Sequence, residues 1–299
     1  MLIKKPVIAF PGKIRYHRQK EGETQVGKFE GVLLAADYDD TLMPFGQTEL
    51  SEANRQAIVH FMAEGGIFTV STGRDLHSFQ KIRDGLLLNA PAVLSNGAVI
   101  FSVQTDEILY QDTLPVGFGA DLKKILQQFP EVGVEAHRDF DIYIVRWNQG
   151  VQSHLDRMGG TGTPCGVEQL PQACTKIAVI APQCYEETAL SREVAAYFQT
   201  NWAEKYDVAL SGGILDVNSF GTNKGSGVVR LCRMLGIDTA HLYCMGDNWN
   251  DLPMLRAGAM GFVPDSARPE VRNAPGMTVV RACWEDAVAD CIERLEKWY

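Results

Sequence analysis

The amino-acid sequence predicts a doubly wound α/β fold: a parallel sheet flanked by helices, with a separate α+β module inserted into it. Three observations carry this reading. From residue 31 to about 95, apolar runs ending in acidic or hydroxylic residues alternate with amphipathic stretches, the rhythm of buried parallel strands and crossover helices. Between about 114 and 212 the texture shifts to period-two alternation, as in Asp141-Ile142-Tyr143-Ile144-Val145, which suits strands with one wet face. The first rhythm then resumes and runs to the C-terminus.

The elements follow in order. Residues 1–30 hold a short apolar run, Pro6–Phe10, and a basic stretch (Lys13, Arg15, His17, Arg18, Lys20), read as an N-terminal extension with a solvated charged face. Val32-Leu33-Leu34-Ala35-Ala36 is a buried strand. Ser51 is the expected N-cap of a helix through Glu64 that Gly65-Gly66 stops. A second strand covers 67–71, a helix about 75–83, and a third strand 92–95. The inserted module, expected over 115–211, holds a helix near 119–129, strands at 132–137, 141–147 and 176–180, and a helix at 185–202. The core, 31–114 and 212–299, closes with a helix at 224–235, a strand at 241–245, and helices at 251–257 and 284–298.

The bulk numbers restrict function. With 299 residues, 45% hydrophobic and 22% charged, the composition is that of a soluble globular protein with a sizeable core. A net charge of -9 argues against a nucleic-acid or anionic-membrane surface. It leaves room for an anionic substrate, because a bound cation reverses the local sign. No secretory or membrane-spanning pattern is present. The seven cysteines form no CxxC pair, so reduced thiols, a cytoplasmic location and no zinc site are expected.

Chemistry concentrates in four islands, each at a strand end or helix start. Asp37 and Asp39 sit at the tip of the first strand, where open α/β sheets bind ligands. Two carboxylates so close repel unless a cation joins them or one keeps a proton. That suits an aspartyl nucleophile beside an acid/base, and it also suits an acidic turn that merely caps a helix. Ser71-Thr72-Gly73-Arg74 offers a hydroxyl, a glycine that lets a ligand approach, and the amides opening a helix. Thr72 as a plain N-cap is the alternative. Lys224, in Gly221-Thr222-Asn223-Lys224-Gly225, lies in a helix's first turn, where the dipole disfavours cations; neutralising a phosphate and the nucleophilic carboxylate would account for it, and an ordinary surface lysine is the alternative. Gly246-Asp247-Asn248-Trp249-Asn250-Asp251 ends another strand. It puts Asp247 where it can complete an oxygen-rich magnesium site with Asp37, and Asp251 where it can orient that site or hold the lysine.

The ordered set DxDxT, TGR, Lys, GDNxND resembles the haloacid dehalogenase superfamily of aspartate-nucleophile phosphohydrolases. Asn96-Gly97-Ala98 after the third strand, and an insertion between the second and third islands, resemble its Cof-like, sucrose-phosphatase-like sugar phosphatase branch. The resemblance implies a Rossmann-like core with a cap over the site. It implies Asp37 as nucleophile and Asp39 as acid/base, with Thr72, Gly73 and Lys224 holding phosphate. Mg²⁺ would be bound by Asp37, the Asp39 carbonyl and Asp247, with Asp251 and Asn250 behind them. Tyr38 and Asp40 stand where that branch commonly has Leu and Gly, and residues 1–30 have no counterpart in it.

The expected reaction is Mg²⁺-dependent hydrolysis of a small phosphorylated metabolite such as a sugar phosphate. Asn96 at the hinge side and His137, Arg138, Asp139 and Arg146 in the cap are candidate readers of the leaving group. A phosphomutase or phosphotransferase on the same fold is one alternative, and a non-catalytic phosphate-ligand binder another. The intact Asp39 argues against the second, because a binder has no use for an acid/base.

Overall fold

The computed structural model describes residues 27–299; the apolar run and basic stretch expected as an N-terminal arm lie outside the described residues. The extension's last residues belong to the core instead. Phe29 is fully buried, its ring centroid 4.8 Å from that of Phe61 in a tilted contact, and its amide donates to the Glu64 carbonyl at 2.8 Å.

Strand β1 (Leu33–Ala36) leads to α1 (Glu52–Ala63), β2 (Ile67–Val70) and the short α2 (Leu76–Gln80). Ser51 caps α1 by accepting from the Asn54 amide, as its residue type predicts. Strands β3 (Ala92–Leu94), β4 (Val99–Ser102) and β5 (Glu107–Gln111) follow. They form a small antiparallel sheet, joined to the main one by a single parallel bridge between Ser71 and Val93. The third strand of the sequence reading therefore heads this hairpin sheet rather than extending the parallel ladder.

Next come α3 (Phe118–Gln128), β6 (Gly133–Arg138), β7 (Asp141–Arg146), α4 (Gln149–Met158), β8 (Thr163–Pro164), β9 (Lys176–Ile180), α5 (Ala189–Trp202), β10 (Tyr206–Ser211) and β11 (Ile214–Ser219). Their strands make one six-stranded sheet in the order β10-β11-β9-β6-β7-β8, antiparallel except for β7–β8. Its core is separate from that of the parallel sheet and is rich in aromatic residues such as Phe198, Tyr206 and Phe129. The hairpin β10–β11 straddles the boundary expected at 211/212, and β11 pairs with β9 through Ile214–Val217. The chain therefore leaves this sheet after Ser219. The period-two pattern of Ile214-Leu215-Asp216-Val217 is strand-like, but the glycines before it read as a domain junction.

The chain then forms α6 (Lys224–Leu235), β12 (Leu242–Met245), α7 (Leu252–Leu255), β13 (Met260–Pro264), α8 (Pro269–Arg272), β14 (Met277–Val280) and α9 (Ala287–Leu295). The parallel sheet runs β14-β13-β12-β1-β2. Every residue of β1 and β12 is buried, as strands covered on both faces must be. Where the chain passes into and out of the six-stranded module, the Thr222 hydroxyl donates to Asp112 Oδ2 at 2.7 Å. No helix among the described residues is long and apolar enough to cross a membrane.

Candidate active site

Strand order explains why distant islands meet. β1 lies between β12 and β2, so the carboxyl tips of all three sit side by side. The ladder continues past the strands: the Asp37 amide donates to the Met245 carbonyl at 2.9 Å, and the Ser71 amide to the Ala36 carbonyl at 2.9 Å. Gly246 follows β12 directly; a Cβ there would lie 2.4 Å from the Asp251 side chain, so only glycine lets Asp251 fold back under the strand tip.

Lys224 is the hub. It is 1% exposed, placed by Asn223, whose side chain caps α6. Its Nζ lies 2.8 Å from Asp37 Oδ1 and 2.6 Å from Asp251 Oδ1. Burial opposes its charge, yet the two carboxylates raise its pKa above an ordinary lysine's. Asp251 Oδ2 accepts the Asp247 and Asn248 amides, both at 3.0 Å, so both of its oxygens are engaged. Asp37 Oδ1 also takes the Tyr38 amide at 2.7 Å, and among the described residues its Oδ2 carries no hydrogen bond.

The acids here outnumber the base. Burial, then repulsion from Asp251, pushes Asp37 well above the usual carboxylate range despite Lys224. Asp247 is pushed up to about 7 by burial and by Asp251, against the Thr41 hydroxyl that donates to its Oδ1 at 2.8 Å. Asp37, Asp247 and Asp251 offer oxygens within 4.8 Å of one another. An all-oxygen, negatively charged cluster with raised carboxylates fits a hard divalent cation such as Mg²⁺.

Asp39 faces the same cavity, of about 600 Å³, and is held by Arg74. Nε and Nη2 of the guanidinium donate to its two oxygens at 2.9 and 2.8 Å, while Arg74 stacks over the Tyr38 ring at 4.8 Å. Thr72 is buried and its Oγ1 accepts the Arg74 amide at 3.1 Å. It does not cap α2; Asp75 does, accepting from the Ser78 amide. Gly73 lines the cavity, and a Cβ there would stand 3.2 Å from Asn96 Oδ1.

A family model described as haloacid dehalogenase-like hydrolase matches residues 34–292. The chain belongs to that family. YxeH of Bacillus subtilis (strain 168) is 25% identical over 268 residues, covering 88% of this chain and 97% of that protein. Pyridoxal phosphate phosphatase YbhA of Escherichia coli (strain K12) is 21% identical over 267 residues, covering 83% and 92%. In fold, the subclass IIB sugar phosphatase BT4131 matches with a TM-score of 0.75 at 19% identity, covering 88% of this chain and 98% of that chain.

In this haloacid dehalogenase-like hydrolase the expected cap readers scatter. Arg146 donates to the Phe129 and Leu126 carbonyls at 3.0 and 2.8 Å, tying down the end of α3 instead of facing the cavity. Arg138 is largely exposed beside Asp139, at 3.5 Å, and Asp139 accepts from Gln111; neither lines the cavity. His137 does line it, but its Nδ1 is bound to buried Asp75 and its Nε2 lies 3.4 Å from Glu135. Burial opposes its protonation, and Asp75 and Glu135 override that, raising it to about 9. Asn96 Nδ2 donates to Asp216 Oδ2 at 2.8 Å, and its Oδ1 accepts from Asn250 at 3.1 Å. Asn250 Oδ1 is buried without a partner among the described residues.

Sequence reading gave no role to several residues at this seam, among them Lys176, Asp216, Arg74 and Asp75, and Glu135 with His154. Lys176 Nζ, from the cap, donates to the Gly73 carbonyl and to Asp216 Oδ1, both at 2.9 Å. Arg74 and Asp75 lie inside and beside a recognised island; a base following Thr-Gly beside a helix cap was the available signal. Nothing in the sequence marks Lys176 or Asp216 out from other strand residues.

Proposed function

We propose that this hydrolase cleaves a small phosphomonoester, with Asp37 as nucleophile, Asp39 as acid/base and Mg²⁺ as cofactor. The observation that carries the reading is the under-neutralised Asp37–Lys224–Asp247 cluster at the strand tips, open to one cavity that also holds Asp39. The names of similar proteins, a pyridoxal phosphate phosphatase and a sugar phosphatase, agree with a phosphorylated metabolite as substrate.

In this scheme an oxygen of Asp37 attacks phosphorus, the bond to the leaving oxygen breaks, and Asp39 supplies that oxygen's proton. Water then attacks the aspartyl phosphate, gives its proton to Asp39, and releases phosphate and the Asp37 carboxylate. Lys224 fixes one oxygen of Asp37, which orients the carboxylate and offsets charge at the phosphoryl group. The Gly73 amide faces the cavity as a donor to the phosphoryl oxygens, and Thr72 contributes its hydroxyl, since its amide is taken by the Val93 carbonyl at 2.9 Å. Arg74 aims Asp39 at the cavity through two hydrogen bonds. Asp37, the Asp39 carbonyl and Asp247 would hold Mg²⁺, which when bound neutralises the carboxylates and phosphoryl oxygens. Asp251, with both oxygens engaged, serves as the anchor of Lys224 and of the Asp247 turn.

Phosphate release from a panel of phosphorylated metabolites tests this. Turnover that ends in free phosphate supports hydrolysis; transfer to a second hydroxyl without free phosphate would move the assignment to a phosphotransferase.

A further inference from the structure

Seven basic side chains line the cavity under the cap, and six of them have a carboxylate partner. Arg74 holds Asp39, Lys224 holds Asp37 and Asp251, Lys176 holds Asp216, His137 holds Asp75, His154 holds Glu135 at 2.9 Å, and Arg268 reaches Glu187 at 3.9 Å. Arg157, on the last turn of α4, forms no ion pair among the described residues. Its guanidinium is held all the same, packed against two aromatic rings: Phe45 of the core loop at 4.6 Å and Tyr185 of the cap at 5.0 Å. Tyr185 is fixed in turn by donating to the Ser153 carbonyl at 2.7 Å.

Stacking of this kind presents a planar cation whose fork has more donors than Tyr185, its one side-chain hydrogen-bond partner among the described residues, uses. The rest of the lining is hostile to a second anion, since Asp37, Asp39, Asp40, Asp216 and Asp247 all face the cavity. An anionic group on the leaving portion of a substrate therefore meets Arg157 as the one lining cation with no carboxylate at ion-pair distance among the described residues, although Asp40 lies within reach of its charge.

We propose that Arg157 is a specificity-determining residue, which reads a second negative charge, carboxylate or phosphate, on the leaving group of the phosphomonoester. This rests on the phosphomonoesterase reading and narrows its substrate class to molecules with two anionic groups.

Two matched pairs test it: glucose 6-phosphate against 6-phosphogluconate, and fructose 6-phosphate against fructose 1,6-bisphosphate. The wild-type protein should favour the doubly anionic member by about tenfold in kcat/KM, mostly through KM, the scale of one hydrogen bond between charged groups. Arg157→Gln should collapse that ratio toward one, with Arg157→Lys in between. The pair with the larger wild-type ratio tells carboxylate from phosphate. A wild-type ratio near one, or a loss in Arg157→Gln that is equal for both members, would overturn the proposal and leave Arg157 as a bridge between cap and core. The same ratios read as dissociation constants by calorimetry do not require turnover. Absence of hydrolysis would thus count against the parent reading, while the affinity ratio still decides Arg157.

Discussion

Two buried charge clusters share one cavity and are poised in opposite ways. At the strand tips, Asp37, Asp247 and Asp251 share Lys224, and burial and mutual repulsion push Asp37 and Asp247 up. At the cap–core seam, Asp75, Glu135 and Asp216 face His137, His154 and Lys176. Burial works against Asp75 and Glu135 as well, yet their basic partners bring Asp75 well below the usual carboxylate range and Glu135 down to about 2. Both clusters are desolvated, so burial does not separate them; the ratio of bases to acids does. A cluster with balanced charges keeps its carboxylates paired, whereas an acid-heavy one has capacity left for a cation.

The largest expected effect is on the acid-heavy side. Asp37→Asn should cut turnover by more than about a thousandfold while the melting temperature stays level or rises, because a repelling charge is removed. Phosphate release and a thermal melt on one preparation check both halves, and retained activity would remove Asp37 as nucleophile. Next, EDTA should abolish turnover and Mg²⁺ restore it. Mg²⁺ should also raise the melting temperature of wild type but not of Asp247→Asn. Metal-independent hydrolysis would sink the cation reading.

On the balanced side the effect should fall on stability. Asp75→Asn leaves His137 buried without its main counter-charge and should cost roughly 3 kcal/mol, read from denaturant unfolding. A loss under about 1 kcal/mol would mean that Glu135 alone suffices, the scale of a single net hydrogen bond.

The pH dependence separates the clusters by window. His137 is raised to about 9 from an ordinary 6.5. Its contribution is therefore present below pH 6.5 and is lost as pH rises through about 9, a slope that His137→Gln should flatten. Asp247, raised to about 7 from an ordinary 3.9, binds its proton more tightly folded than unfolded. It penalises the protein as pH rises from about 4 to 7, and Mg²⁺ should erase this slope but not that of His137. The smallest effect is at Arg138, which is exposed: Arg138→Ala should change stability by no more than about 0.5 kcal/mol and leave turnover alone.

The two clusters also differ in how far they can be read from sequence. Asp37 and Asp247 end apolar runs, so strand periodicity alone carries them to one sheet edge, and Lys224 draws attention as a cation at a helix start. The seam offers no such periodicity. Lys176 begins a strand, Asp216 lies inside one, and their meeting depends on how the cap sheet docks on the Gly73 loop. His137 is visible as a polar cap residue, but its partner Asp75 is 62 positions away and reads locally as a helix cap, which it also is. Arg146 fails as a reader because its reach toward the α3 carbonyls is a tertiary fact. The hairpin β10–β11 escaped for a related reason, since glycine pairs mark tight turns and domain junctions alike.

The hydrogen bond between Thr222 and Asp112 has a consequence for how the cap is joined to the core. It stitches the outgoing and returning chains together, so the two ends of the insertion leave the core side by side. The same geometry makes the cap a graft: a different insertion with closely spaced ends fits the same socket without disturbing the strand tips. Lys224, which holds Asp37 and Asp251, lies two residues past the stitch on the core side.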